Sequence, residues 1–119
     1  MKRDLDLVRE LLLALEGAPE VNAVESLVAK GYSEEAIGFH SFLLGDAGYA
    51  RVFDTSTVMD TVPQAIASSI TWRGYEFLDS ARESKRWTKA KGALAKVGGT
   101  SLEVALDLLK DYAKNELGL

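Results

Sequence analysis

The chain of 119 residues contains no cysteine, two prolines and one histidine. Without thiols there are no disulfides, no thiolate zinc or iron–sulfur ligation and no cysteine nucleophile. One imidazole leaves little scope for a histidine metal site or a charge-relay triad. No apolar run approaches the roughly 18–20 residues that a membrane span requires. The opening MKRDLDLVRE acquires acids at once and lacks a signal-peptide core. Together these features predict a cytoplasmic protein with no metal, no cofactor and no membrane partner.

The composition is that of one globular domain, with 47% hydrophobic and 27% charged residues. The net charge of −4 is spread unevenly. Residues 1–48 hold four basic and nine acidic side chains, residues 73–98 seven and three, and the last 21 residues two and four. Any surface for a polyanion must therefore come from the third quarter of the chain.

Helical spacing is clear in three places. Asp4 is a good N-cap for a helix over about 4–16, with Leu5, Val8, Leu11, Leu12 and Leu15 on one side. Gly17 is expected to give it a left-handed exit and Pro19 to prevent its continuation. Ser33 caps a helix to about Ala47, with Glu34 and Glu35 at the end favourable to acids. A final helix spans about 101–116, opened by a Thr100–Glu103 capping box and stopped at Gly118. Its apolar side holds Leu102, Ala105, Leu106, Leu109, Tyr112 and Ala113. Residues 21–30 fit a strand or a short helix, with the helix near 23–30 favoured and Gly31 ending it.

YARVFD and AIASSITW predict strands at 49–54 and 65–72, joined by a long polar tip containing Pro63. Strict alternation puts Ile66, Ser68, Ile70 and Trp72 on one face and Ala67, Ser69 and Thr71 on the other. Thr71 then caps a helix with Tyr75, Phe77, Leu78 and Ala81 inward, and Gly74 lets that helix start close against the strand. KRWTKAKGALAKV, 85–97, is basic and weakly amphipathic, and Gly98–Gly99 makes a break after it.

The order of helix, short element, helix, hairpin and helix predicts an α+β, mostly helical fold. It matches a winged helix, a helix-turn-helix variant with a two-stranded wing, extended by C-terminal helices. One domain is expected over 1–119, with its core in 1–84 and a helical extension in 85–119. MKRDLDLVRELLLALE, GYSEEAIGFHSFLLGDAGY, ITWRGYEFLDSAR with Trp87 after it, and KNELGL resemble a bacterial and phage family known as domain of unknown function 2513. The resemblance implies a winged-helix-like fold and a phage or prophage setting, and no activity. Gly38, Ser41 and Gly45 depart from it, standing where larger side chains are expected.

His40 falls among Ala36, Ile37, Leu43, Leu44 and Ala47, so a hydrogen-bonded core histidine is favoured over a ligand or general base. Trp72 shares its expected face with Ile70 and is assigned to the core. Trp87 is assigned to burial over base stacking. Asp4 and Asp6 read as a cap and a first-turn acid, not as a metal pair.

The expected outer face of the 34–46 helix presents Glu34, Gly38, Ser41, Phe42 and Gly45, with no Arg or Lys between Gly31 and Ala50. Such a surface would be repelled by a groove lined with phosphates. A smooth stripe instead admits another backbone, and Phe42 can anchor a partner. These five residues form the candidate protein interface, for another protein or for a homodimer. The rival explanation is packing by the chain's own C-terminal helix. Arg51, Arg73, Lys85, Arg86, Lys89 and Lys91 are the candidate phosphate contacts of a DNA-binding regulator. No base, nucleophile and metal set accompanies them, so the expected protein is a non-catalytic interaction or regulatory module, with DNA-binding regulation as the alternative.

Overall fold

The computed structural model describes residues 1–17, 20–96, 98 and 101–118, with only the backbone of Glu20, Val21 and Asn22. In chain order these residues form α1 (Leu5–Gly17), α2 (Glu20–Ala29), α3 (Glu34–Asp46), β1 (Ala50–Asp54), β2 (Ala65–Ile70), α4 (Trp72–Ala81), α5 (Ser84–Lys96) and α6 (Leu102–Glu116). The class is α+β and mostly helical, with one two-stranded antiparallel sheet among the described residues. Residues 21–29 are helical, as favoured. Two compact units divide the chain at Tyr75/Glu76, inside α4 and ahead of the division expected after residue 84.

In the unit Met1–Tyr75, local chemistry sets the helix starts. The Asp4 carboxylate accepts from the Asp6 and Leu7 amides at 3.0 and 3.2 Å, and Ser33 Oγ accepts from the Ala36 amide at 3.1 Å. These bonds satisfy donors that a helix leaves orphaned in its first turn. Leu7, Val8, Leu11 and Leu12 of α1 are buried, as are Ala23 and Leu27 of α2 and Ile37 and Leu44 of α3. Gly17 is the last residue of α1 and has no positive φ, so the expected left-handed exit does not occur there. The Pro19 stop lies outside the described residues.

The hairpin corrects the strict alternation along the second strand. Arg51 pairs with Ser69 but Val52 with Ala67, so Ser68 is an extra residue opposite the Arg51/Val52 step. Such a bulge shifts the inward face by one residue. Ala65, Ala67 and Ile70 are therefore buried, while Ile66 is 43% exposed. Ser68 Oγ donates to the Arg51 carbonyl at 3.1 Å, satisfying an acceptor at the irregularity. The strand ends at Ile70, and Trp72 is the first residue of α4. Trp72 is 81% exposed, which corrects its assignment to the core.

The strand-to-helix junction forms as the sequence predicts. Thr71 Oγ1 accepts from the Gly74 amide at 3.1 Å and donates to the Gly48 carbonyl at 2.6 Å. A Cβ on Gly74 would overlap the Tyr49 carbonyl oxygen, so α4 starts where a larger residue has no room.

In the unit Glu76–Leu119 the buried residues include Phe77, Leu78, Ala81, Trp87, Ala90, Leu94, Ala105, Leu106 and Leu109. The Trp87 ring meets Phe77 edge-on at 5.9 Å, so this tryptophan is core as expected. Glu83 precedes α5 and accepts from the Lys85 and Arg86 amides at 3.2 and 2.7 Å. Those two bonds hold the Glu83 carboxyl below its ordinary value, with the Arg86 amide the larger cause. The expected Thr100 cap and the Gly99 half of the break lie outside the described residues. Ser101 Oγ accepts from the Val104 amide at 3.3 Å and caps α6.

Candidate interaction surface

His40 explains why α3 holds its orientation. The ring is 1% exposed. Its Nδ1 lies 2.8 Å from the Ala36 carbonyl, and the Asp4 amide donates to Nε2 at 2.8 Å. A carbonyl can only accept and an amide can only donate, so the bonds specify a neutral ring with its proton on Nδ1. Both nitrogens are committed to backbone, one of them to the residue that caps α1. The core reading of His40 holds, and neither nitrogen is left for a ligand.

The other side of α3 is also covered, by the hairpin. Gly38 and Ser41 are buried, and Phe42 and Gly45 are half-buried. A Cβ on Gly38 would overlap the Gln64 amide, and one on Gly45 would overlap the Val52 side chain. Gln64 Nε2 donates to the Glu35 carbonyl at 3.1 Å, and Ser41 Oγ donates to the Ile37 carbonyl at 2.8 Å. The small residues thus let the chain's own β1–β2 hairpin lie close on α3. This corrects the outward placement of the stripe. The covering element is the hairpin, whereas packing by the C-terminal helix had been the expected rival. Glu34 remains exposed, as do Glu35 and Asp46.

The hairpin's far side shows apolar side chains, among them Ile66, which strict alternation had put on one face with Ile70. Phe53 and Ile66 pair across the strands and are 64% and 43% exposed. At the tip, Val58 and Met59 stand fully and almost fully in solvent. The tip is ordered by its own polar groups: Asp60 Oδ2 accepts from the Thr57 amide at 2.8 Å, and Thr57 Oγ1 accepts from the Met59 amide at 3.3 Å. At its base the Ser56 amide donates to Asp54 Oδ1 at 2.8 Å, the main cause holding that carboxyl below its ordinary value. Residues 52–72 contain two aspartates and no Lys or Arg. One signal was available in the sequence: Val58 and Met59 are apolar neighbours in a tip whose other residues, apart from Val62 and Pro63, are polar.

The candidate phosphate contacts fall in both units. Arg51 is exposed on the hairpin, its Nη1 donating to Ser69 Oγ at 3.4 Å. Arg73 lies over the Tyr49 ring at 5.0 Å. On α5, Arg86 is taken up within its own unit: Nη1 donates to the Ser80 carbonyl at 3.1 Å and Nη2 pairs with Glu116 at 2.6 Å. Lys89 lies 4.1 Å from the centre of the Tyr112 ring and Lys91 6.0 Å from that of Trp87. Lys85 and Lys89 stay exposed. Among the described residues no group of three His, Cys, Asp or Glu side chains could hold a metal, and no helix is long and apolar enough to cross a membrane.

The profile of a family described as "Hypothetical protein (DUF2513)" matches residues 2–101, and a protein of Haemophilus influenzae named only as an uncharacterized protein is 33% identical over 117 residues, covering 96% of this chain and 93% of the relative. No solved structure matches the chain. The chain belongs to the DUF2513 family.

Proposed function

We propose that the chain is a non-catalytic, winged-helix-like interaction module of phage or prophage type, working in the cytoplasm and docking a protein partner on the outer side of its β1–β2 hairpin. The observation that carries this reading is the exposed Phe53–Ile66 pair, continued by Val58 and Met59 at an ordered tip. A tip whose backbone is already held by its own hydrogen bonds saves backbone entropy on docking, and exposed apolar side chains suit the anchors of a protein interface. The element order supports the winged-helix assignment, since α1, α2 and α3 precede a hairpin followed directly by α4.

In a DNA-reading winged helix the third helix enters the major groove and the wing touches phosphates. Here Gly38 and Ser41 of α3 lie under the hairpin, Glu34 and Glu35 face out, and the tip is acidic. These features weigh against DNA for this unit. Burial of the small-residue stripe also removes the surface first assigned to self-association, which favours a different protein over a second copy. The alternative, DNA-binding regulation, rests on the exposed Lys85 and Lys89, helped by Lys91, Arg51 and Arg73.

Capture of partners from lysogenic or infected cells, with and without nuclease, tests the reading. A nuclease-resistant protein should be retained by the wild type and lost on Phe53→Ser with Met59→Ser. Retention that disappears with nuclease would establish the DNA alternative. A light-scattering mass of twice the chain, reduced by the same changes, would place a second copy on the hairpin instead.

A further inference from the structure

Resting on the hairpin reading, we propose that the cleft beside β2 is a specificity pocket for one bulky apolar side chain of an extended partner peptide, with a neighbouring Lys or Arg of that peptide held by Glu34. The cleft lies within the Met1–Tyr75 unit and measures about 300 Å³, opening between α1, α2, α3 and β2. Leu11, Leu15, Val24 and Ile37 supply apolar walls, and Ile66 forms part of the lining. An apolar cavity of about 150 Å³ holds a benzene, whereas pockets for drug-sized ligands begin near 300 Å³ and run to about 1,000 Å³. At about twice the benzene cavity and the lower limit of drug-sized pockets, the cleft has room for one large side chain and little more.

The polar groups around the cleft select its occupant. Ser41 and Gln64 already donate to the backbone carbonyls of Ile37 and Glu35. Glu34 lines the cleft, is exposed, and forms no ion pair among the described residues. Between Gly31 and Trp72 the chain carries five acidic residues and one basic residue, Arg51, so the side of the unit built from α3 and the hairpin favours a cation. The same charges reject a second copy's hairpin tip, because Asp54 and Asp60 flank Val58 and Met59 and would bring acid to acid. Ile66 belongs both to the cleft and to the exposed Phe53–Ile66 pair, so a peptide lying on the hairpin reaches the cleft without leaving the surface.

Selection of random displayed dodecapeptides on the full chain tests this, each selected peptide being remeasured by fluorescence anisotropy. The expected sequences place Leu, Phe or Trp beside Lys or Arg. Val24→Phe, which fills the cleft, should weaken them about tenfold. Glu34→Gln, a surface change that leaves folding intact, should weaken them about threefold. Amide shifts on binding should centre on Ile37 and Ala67, a readout that stands even if Val24→Phe fails to fold. Peptides that are acidic, or that ignore both substitutions yet are lost on Phe53→Ser, would overturn the pocket and leave the hairpin reading standing. No enrichment at all, or binding indifferent to every one of these changes, would overturn both.

Discussion

The two units solve the problem of closing a small core in different ways. Met1–Tyr75 carries six basic and eleven acidic residues, Glu76–Leu119 eight and seven. The first unit is closed by small residues and backbone bonds: Gly38 and Gly45 under the hairpin, Gly74 against the Tyr49 carbonyl, and His40 between two peptide groups. The second relies on large side chains, the Phe77–Trp87 pair and the Arg86–Glu116 ion pair. The lesson concerns surface supply. Close approach at Gly38, Gly45 and Gly74 seats the hairpin and the start of α4 on a core of Leu7, Leu11, Leu12, Leu27, Leu44 and Tyr49, while Phe53, Ile66, Val58 and Met59 remain on the outside. The second unit spends Phe77, Trp87 and one of its arginines on itself, leaving scattered lysines.

Substitutions sharpen that contrast in a definite order. Trp87→Ala should be the most costly, about 3–5 kcal/mol, because it deletes the largest side chain of the second core. Denaturant melts followed by unit-specific amide signals should show the loss concentrated in Glu76–Leu119. Gly74→Ala should cost about 1–3 kcal/mol, toward the upper end because the obstructing atom is a backbone carbonyl. A neutral result would mean that α4 can shift at its start. His40→Ala should also cost about 1–3 kcal/mol by stranding the Asp4 amide. Hydrogen exchange should then quicken first at the start of α1. Thr71→Ala should cost about 0.5–2 kcal/mol through the lost cap and the lost bond to Gly48. An unchanged melting temperature would place the effective start of α4 elsewhere.

The smallest effect is electrostatic. The Glu83 carboxyl, held below its ordinary value of 4.5 by the Arg86 and Lys85 amides, stabilises the α5 start when ionised. That contribution is fully present above the ordinary carboxylate range and is lost as pH falls through the lower folded-state value. An acid titration of the Glu83 side-chain signal should therefore run below that of a model glutamate, in step with fraying at Lys85 and Arg86. Coincidence with the model peptide would remove the cap.

Local chemistry was legible in the sequence and contacts at a distance were not. Asp4, Ser33 and Thr71 announced themselves because a cap needs only its own first turn. Gly74 was readable because it sits between a cap and an apolar helix face. His40 was readable from its helical angle, although its bond to Asp4 was not. The inward face of β2 was missed because the extra residue, Ser68, exists only relative to β1. The stripe on α3 was recognised as permitting close approach, but which element approaches is a tertiary fact, carried by Gln64 and Val52. Phe53 went unassigned, and Ile66 was placed on the face of Ile70 and Trp72, for the same reason as Ser68: strand alternation shows neither a bulge nor which face the rest of the chain covers. Glu83 was not legible as the cap of α5 because Glu is not among the residues that favour an N-cap position.

The central claim is that the hairpin, and not α5, carries the contact surface. Its most direct test is a single measurement, partner recovered from nuclease-treated lysate by two variants side by side. Phe53→Ser with Met59→Ser should reduce recovery about tenfold, while Lys85→Gln with Lys89→Gln and Lys91→Gln should stay within about twofold of the wild type. The reverse ranking, with recovery lost on removing the lysines and kept on altering the hairpin, would contradict the account.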